Sequence, residues 1–275
     1  MTMTISADTK FAAVLGWPVH HSKSPAMHNA AFASADIDAV YLAFAVAPDK
    51  LQEAVAGLRS TGALGANLTV PHKEAGLALC DSLSDAARTI GAVNTLVFGQ
   101  DGHIVGHNTD AAGYVRSLTH CTGQSATGLR VVLLGGGGAA RAVSYGLLDA
   151  GATSVSVVAR SPDKVAWTKA LPWKSGVLAS HLPECDLLVD CTSIGLSEES
   201  ESRLPCPIDL SLLPSAAIVS TLVYHRETNL LRDARALGHK VFDGREMLVA
   251  QGALAFELWT GVAPQVDLMR AAAFS

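Results

Sequence analysis

The chain opens with short apolar runs separated by polar breaks, and the runs change period along its length. Phe11 to Gly16 is a compact apolar stretch and predicts a strand, and Pro25 to Ala35 predicts a helix. Val40 to Val46 alternates and is rich in apolar and aromatic residues, which predicts a second strand. Pro48-Asp49 opens a helix that runs to Leu58. Ala66 to Val70 reads as a strand, and Pro71 starts the next helix, with Lys73 in its first turn. Ala92–Phe98 and His103–His107 flank Gln100-Asp101-Gly102, a hairpin signal, and Asp110 to Leu118 is helical.

After Gly128 the pattern becomes regular strand–helix alternation. The predicted strands are Val131–Leu134, Val155–Ala159, Leu187–Cys191, Ala217–Val223 and Lys240–Phe242. The predicted helices include Arg141–Leu148, Pro162–Leu171 and Glu227–Leu237. Such alternation specifies a doubly wound parallel sheet. From Met247 the chain returns to helix, which is expected to pack back on the first domain.

The segment RVVLLGGGGAAR, residues 130–141, carries the first chemistry. A buried strand, Val131–Leu134, runs into four glycines and then a helix-forming stretch from Ala139 to Leu148. Strand, glycine turn and helix together read as a dinucleotide-binding loop. Gly135 permits the tight turn, Gly137 lets the backbone approach a pyrophosphate, and Ala140 keeps helix and strand close. The first N–H groups of the helix, at Gly138 and Ala139, favour an anion. A purely structural glycine turn is the competing reading. The next strand bears on it. Arg160 follows it, twenty-five positions after Gly135, where an NAD site usually carries an acid. Arg160, Ser161 and Lys164 offer a guanidinium fork, a hydroxyl and an ammonium instead, a set suited to a 2′-phosphate. The cofactor expected is therefore NADP rather than NAD; ordinary surface cations are the alternative.

Composition narrows the class. The chain has 275 residues, 49% of them hydrophobic and 16% charged, so a large core is available to one or two domains. The net charge of −5 gives no case for nucleic acid or an anionic membrane as partner. No apolar run reaches the ~20 residues of a membrane span. Met1–Lys10 is polar and lacks the apolar core of a secretory signal. Cys80, Cys121, Cys185, Cys191 and Cys206 are odd in number, scattered and without a C-x-x-C, which favours reduced thiols and a cytoplasmic location. No zinc-protease-type histidine pair occurs, and no metal is expected.

The front half supplies candidates for a small acidic substrate. Ser22 and Ser24 precede Pro25 and a helix start, where two hydroxyls can hold a carboxylate; simple capping by Ser24 is the bland alternative. Asn67 and Thr69 lie at a strand end. Lys73 in a first helical turn would oppose the helix dipole, which suggests a site. Gly91–Thr95 and Gly106–Gly113 add Asn94, Asn108, Thr109 and Asp110; Asp110 could equally cap the following helix.

Together these segments resemble the shikimate dehydrogenase family across nearly the whole chain. G-x-P-x-x-H-S-x-S-P (Gly16–Pro25), N-x-T-x-P-H-K (Asn67–Lys73), G-A-V-N-T (Gly91–Thr95) and N-T-D-x-x-G (Asn108–Gly113) stand in family order, followed by the glycine loop and D-G-x-x-M-L-V-x-Q-G-A (Asp243–Ala253). The resemblance implies two α/β domains with the site in the cleft: a substrate domain, 1–109 with 246–275, and a Rossmann-like NADP domain, 110–245. It implies that Ser22, Ser24 and Tyr224 hold the substrate carboxylate, and that Thr69, Lys73, Asn94, Asp110 and Gln251 surround the ring hydroxyls. Lys73 and Asp110 would be the catalytic pair. Thr192 and Gly244 would join the cofactor contacts, Gly244 through its backbone at the nicotinamide carboxamide. A monomer or homodimer is expected.

The residue types suit ketone reduction, which needs a hydride and a proton for the developing alkoxide; a Lys–Asp pair can provide the proton. The activity implied is reversible reduction of 3-dehydroshikimate to shikimate. Departures from the family pattern lie near the cofactor: Thr221 and His225-Arg226 around Leu222-Val223-Tyr224, Asp190 where Asn is usual, Glu246 where Gly is frequent, and Arg160-Ser161 in place of Asn-Thr. They leave open a paralogue acting on quinate, aminoshikimate or a related ring acid. A one-carbon folate dehydrogenase is disfavoured by the paired serines and N-T-D, and a non-catalytic ligand sensor by intact Lys73, Asp110 and Gln251.

Overall fold

Two six-stranded sheets organise the chain, each with its own core. The computed structural model describes residues 5–195 and 206–274, so the first four residues of the polar stretch Met1–Lys10 lie outside it. The chain divides into two compact units: Met1–Gly113 with Val249–Ser275, and Tyr114–Leu248.

In the first unit the strands are β1 (Lys10–Gly16), β2 (Ala39–Ala45), β3 (Gly65–Leu68), β4 (Ser82–Leu83), β5 (Thr95–Phe98) and β6 (Ile104–His107), in the order β2-β1-β3-β5-β6-β4. β1 runs parallel to β2 and β3, whereas β5 is antiparallel to both β3 and β6. The predicted hairpin joins β5 to β6, closed by the Gly99 N–H on the His103 carbonyl at 2.8 Å. β1 is covered on both faces, which is why it reads as unbroken apolar sequence rather than as alternation. Ala12 and Val14 face one core, Ala13 and Leu15 the other. Helix α1 (Ser24–Ser34) covers one face together with the C-terminal helices. α2 (Leu51–Ser60) and α3 (Asp85–Ile90) bring Leu51, Val55 and Ala87 to the opposite core.

The second unit has β7 (Arg130–Leu134), β8 (Ser154–Ala159), β9 (Leu171–Pro172), β10 (Leu187–Asp190), β11 (Ile218–Thr221) and β12 (Lys240–Phe242). Their order is β12-β11-β10-β7-β8-β9, and every pairing is parallel. Helix α4 (Asp110–Thr122) enters from the first unit and packs Tyr114 and Leu118 on one face with α5 (Gly138–Asp149). α6 (Ser175–His181) and α7 (Asn229–Ala236) cover the other. The chain reverses its direction of travel across the sheet between β7 and β10, the position where open α/β sheets bind ligands. α8 (Arg245–Thr260) and α9 (Val266–Phe274) return to the first unit, where Phe256, Trp259 and Met269 pack with Val14, Met27 and Phe32. The units divide inside α4 and α8, at 113/114 and 248/249.

Two predicted helices are absent. Pro71 starts a turn, not a helix: the His72 N–H meets the Thr69 carbonyl at 2.8 Å, and a 3₁₀ turn follows at Ala75–Leu79. The Lys73 carbonyl accepts from the Val93 N–H at 2.8 Å, so tertiary pairing takes the place of helical pairing. Lys73 therefore opposes no helix dipole. Pro162–Leu171 forms only a 3₁₀ turn, Pro162–Lys164, before β9. The Trp167 indole donates to the Gly136 carbonyl at 3.0 Å, which holds this segment against the glycine loop. β4, α3, β9 and α6 have no counterpart among the elements predicted from the sequence.

Candidate active site

Lys73 and Asp110 reach each other from separate segments of the first unit. Lys73 Nζ lies 2.6 Å from Oδ2 of Asp110. The Lys73 side chain is 29% exposed and that of Asp110 only 8%, so the lysine is partly open to solvent while the aspartate is nearly enclosed. The other carboxylate oxygen, Oδ1, accepts from the Asn94 carboxamide at 2.9 Å. Asn94 is itself fixed. Its Oδ1 accepts from the Thr109 N–H at 2.8 Å, and its Nδ2 approaches Gln251 Oε1 at 3.4 Å.

Asp110 is the first residue of α4, but it does not cap it. Asn108 Oδ1 accepts the N–H groups of Asp110 and Ala111, at 3.1 and 3.4 Å. Ser24 is likewise not a cap. Its N–H donates to Ser22 Oγ at 3.3 Å, and its own side chain approaches the buried Tyr41 phenol. Ser22 and Ser24 thus stand together at the start of α1, while Thr69 follows β3 with its N–H on the Leu15 carbonyl at 3.0 Å.

A second cluster surrounds the glycine loop of the second unit. Gly135 has φ +100°, the left-handed region that favours glycine, and its N–H pairs with the Val158 carbonyl at 2.8 Å. Gly137 precedes Gly138 and Ala139 at the start of α5, and the space beside its Cα is open. A cavity of about 360 Å³ lies here, lined by Gly135–Gly137, Arg160, Ser161, Lys164, Thr192 and neighbours, with no carboxylate among the described residues that line it. Cys191 also lines it, and burial pushes its thiol well above the usual range, so it stays neutral. Tyr224 and Gly244 belong to the same unit. The Gly244 N–H meets the Val223 carbonyl at 3.0 Å, and a Cβ there would collide with the Leu222 carbonyl oxygen. Burial raises the Tyr224 phenol, which keeps it a neutral donor.

Comparison with known proteins bears on both clusters. A family model described as the shikimate dehydrogenase substrate binding domain matches residues 14–96, and one described as the shikimate 5′-dehydrogenase C-terminal domain matches 244–274. A shikimate dehydrogenase (NADP(+)) of Desulforamulus reducens is 40% identical over 97% of this chain and 95% of its own. The chain belongs to the shikimate dehydrogenase family. Among solved structures, a shikimate dehydrogenase of Aquifex aeolicus superposes with a TM-score of 0.89 at 33% identity, covering 99% of this chain and 100% of its own. A Thermus thermophilus shikimate 5-dehydrogenase, solved in complex with NADP(H) and shikimate, gives 0.85 at 39% identity, covering 96% and 98%. The two-domain α/β class holds across these structures.

Within this shikimate dehydrogenase-family chain, the first unit brings Lys73, Asn94, Asp110 and Gln251 together, with Ser22 and Ser24 at the start of α1. The glycine loop, Arg160, Ser161, Lys164 and Thr192 gather in the second. Among the described residues no group of His, Cys, Asp and Glu side chains is arranged to hold a metal, and no helix is long and apolar enough to cross a membrane. Sequence reasoning missed Tyr41, whose hydroxyl donates to Asn67 Oδ1 at 2.6 Å, and Trp167 beside the glycine loop. An aromatic in the apolar strand AVYLAFA looks like plain core, so no local signal marks Tyr41. The unusual Asp190 ends β10, buried, with Oδ1 accepting from the Thr192 N–H at 2.9 Å. Burial raises its carboxyl above the ordinary range.

Proposed function

We propose that this chain is an NADP-dependent shikimate dehydrogenase that interconverts 3-dehydroshikimate and shikimate. The observation that carries the reading is the 2.6 Å contact between the Lys73 ammonium and Asp110, with the carboxylate steadied from its other side by Asn94. The cradle beside α5 fits the cofactor: open backbone at Gly137 for phosphate, and Arg160, Ser161 and Lys164 for a 2′-phosphate. Bound NADP(H) supplies or takes up the hydride.

This chain's residues supply the rest. As the ring ketone carbon gains a hydride, the carbonyl electron pair moves onto oxygen, and the Lys73–Asp110 pair delivers the proton that the oxygen needs. In the oxidative direction the pair takes the hydroxyl proton. Asp110 holds the ammonium in place, and partial exposure of Lys73 lets it exchange protons with solvent. Ser22, Ser24 and Tyr224 hold the substrate carboxylate, and Thr69, Asn94 and Gln251 orient the ring hydroxyls. Thr192 and the backbone of Gly244 complete the cofactor contacts.

The test is absorbance growth from NADPH when the protein is mixed with NADP and shikimate. Turnover is expected. Tight binding of shikimate without turnover would mark a ligand sensor, and turnover of quinate in preference to shikimate would mark the paralogous activity.

A further inference from the structure

Tyr41 of β2 stands outside every role given so far, yet a continuous hydrogen-bond path joins it to the proposed catalytic carboxylate. Its hydroxyl donates to Asn67 Oδ1 at 2.6 Å. Asn67 Nδ2 donates to the Asn94 carbonyl and to Thr95 Oγ1, both at 3.0 Å. Thr95 Oγ1 donates to Asn94 Oδ1 at 3.1 Å, and Asn94 Nδ2 donates to Asp110 Oδ1 at 2.9 Å. Asn67, Asn94, Thr95 and Asp110 are all buried, so no solvent competes for these bonds. The Tyr41 ring is fully buried and stacks on His28, centroids 4.3 Å apart and planes 15° apart. Asn29 brackets the same residue from α1, with its amide on the Tyr41 carbonyl at 3.0 Å and its oxygen on the Tyr41 N–H at 2.8 Å. Ring and backbone are therefore fixed independently of the hydroxyl, which meets the Ser24 side chain as well as Asn67 and so anchors the path rigidly.

We propose that Tyr41 is a positioning residue for the reaction: its hydroxyl fixes Asn67, which fixes both the backbone and the carboxamide of Asn94 and so the orientation of the Asp110 carboxylate. This rests on the proposed dehydrogenase reading. Buried polar networks are fully satisfied or costly, and a loosened member shifts its neighbours. A small misplacement of a catalytic group is enough to lower turnover strongly.

Tyr41→Phe tests it, because the ring and its stacking survive. With NADP and shikimate, kcat is expected to fall about tenfold while the shikimate KM moves less than about threefold. Asn67→Ala should cause a similar loss, and the double variant should lose no more than Asn67→Ala alone, since both cut one path. Losses that multiply in the double variant, or Tyr41→Phe with unchanged kcat whatever its melting temperature, would overturn the proposal. If Asn67→Ala does not fold, the split between kcat and KM in Tyr41→Phe still decides. Failure of the wild-type chain to turn over shikimate would count against the dehydrogenase reading, a different result from equal rates in wild type and variant.

Discussion

Asn108, two residues before Asp110, takes the helix-capping duty that Asp110 is placed to perform. Its Oδ1 accepts from the N–H groups of Asp110 and Ala111, and its Nδ2 donates to the Ala92 carbonyl at 3.0 Å. Both carboxylate oxygens of Asp110 are thereby left to side chains, one to Lys73 and one to Asn94. Stability and chemistry should separate at these two positions. Asn108→Ala should lower folding stability by about 1 kcal/mol, measured by denaturant midpoint, with most activity retained. Asp110→Asn should leave the midpoint nearly unchanged and lower kcat about a hundredfold. Equal loss of kcat in both variants would contradict the division.

Lys73→Ala removes the proton-bearing group. kcat should fall about 10²–10⁴-fold with less than about tenfold change in the shikimate KM, read from steady-state kinetics. A near-normal kcat would remove Lys73 from the chemistry.

The parts of this architecture legible in the sequence are those set by local pattern. Val131–Leu134, the glycines and the following helix announce themselves because strand, turn and helix each carry their own signal in twelve consecutive residues, 130–141. The two missing helices had good local signals, a Ser-Pro start at 161–162 and a Pro start at 71. Distant partners overrode them: Gly136 captures the Trp167 indole, and Val93 captures the Lys73 carbonyl. The Lys73–Asp110 contact spans 37 positions and was reachable only through family resemblance, not through spacing. Tyr41 was illegible because a buried tyrosine and a buried phenylalanine give a strand the same pattern; only the partner of the hydroxyl distinguishes them.

Arg160 and Lys164 should decide the choice between cofactors. The double variant Arg160→Ala/Lys164→Ala should lower kcat/KM for NADP about ten- to a hundredfold, the scale of one or two lost charge-assisted hydrogen bonds, and leave that for NAD within about threefold. Parallel losses with both cofactors would show that these cations do not read the 2′-phosphate.

Asp190 offers a pH test of stability. Burial raises its carboxyl above the value of 3.8 that it has when unfolded. A raised folded value means that the native state holds the proton more tightly, so this group's favourable contribution is complete below about pH 3.8 and fades as pH rises through the folded value. Near pH 7 the buried charge is a cost. Asp190→Asn keeps an oxygen for the Thr192 N–H and removes the charge, so it should stabilise the chain at pH 7, with the gain shrinking toward pH 4 in denaturant titrations. A gain that grows on acidification would contradict this.

The most direct measurement is a spectrophotometric assay at 340 nm crossing NADP and NAD with shikimate and quinate, wild type beside Lys73→Ala. Reduced cofactor should form fastest with NADP and shikimate, and that rate should be lost almost entirely in the variant. No turnover of shikimate by the wild type, or a variant that keeps the wild-type rate, would contradict a dehydrogenase that works through Lys73.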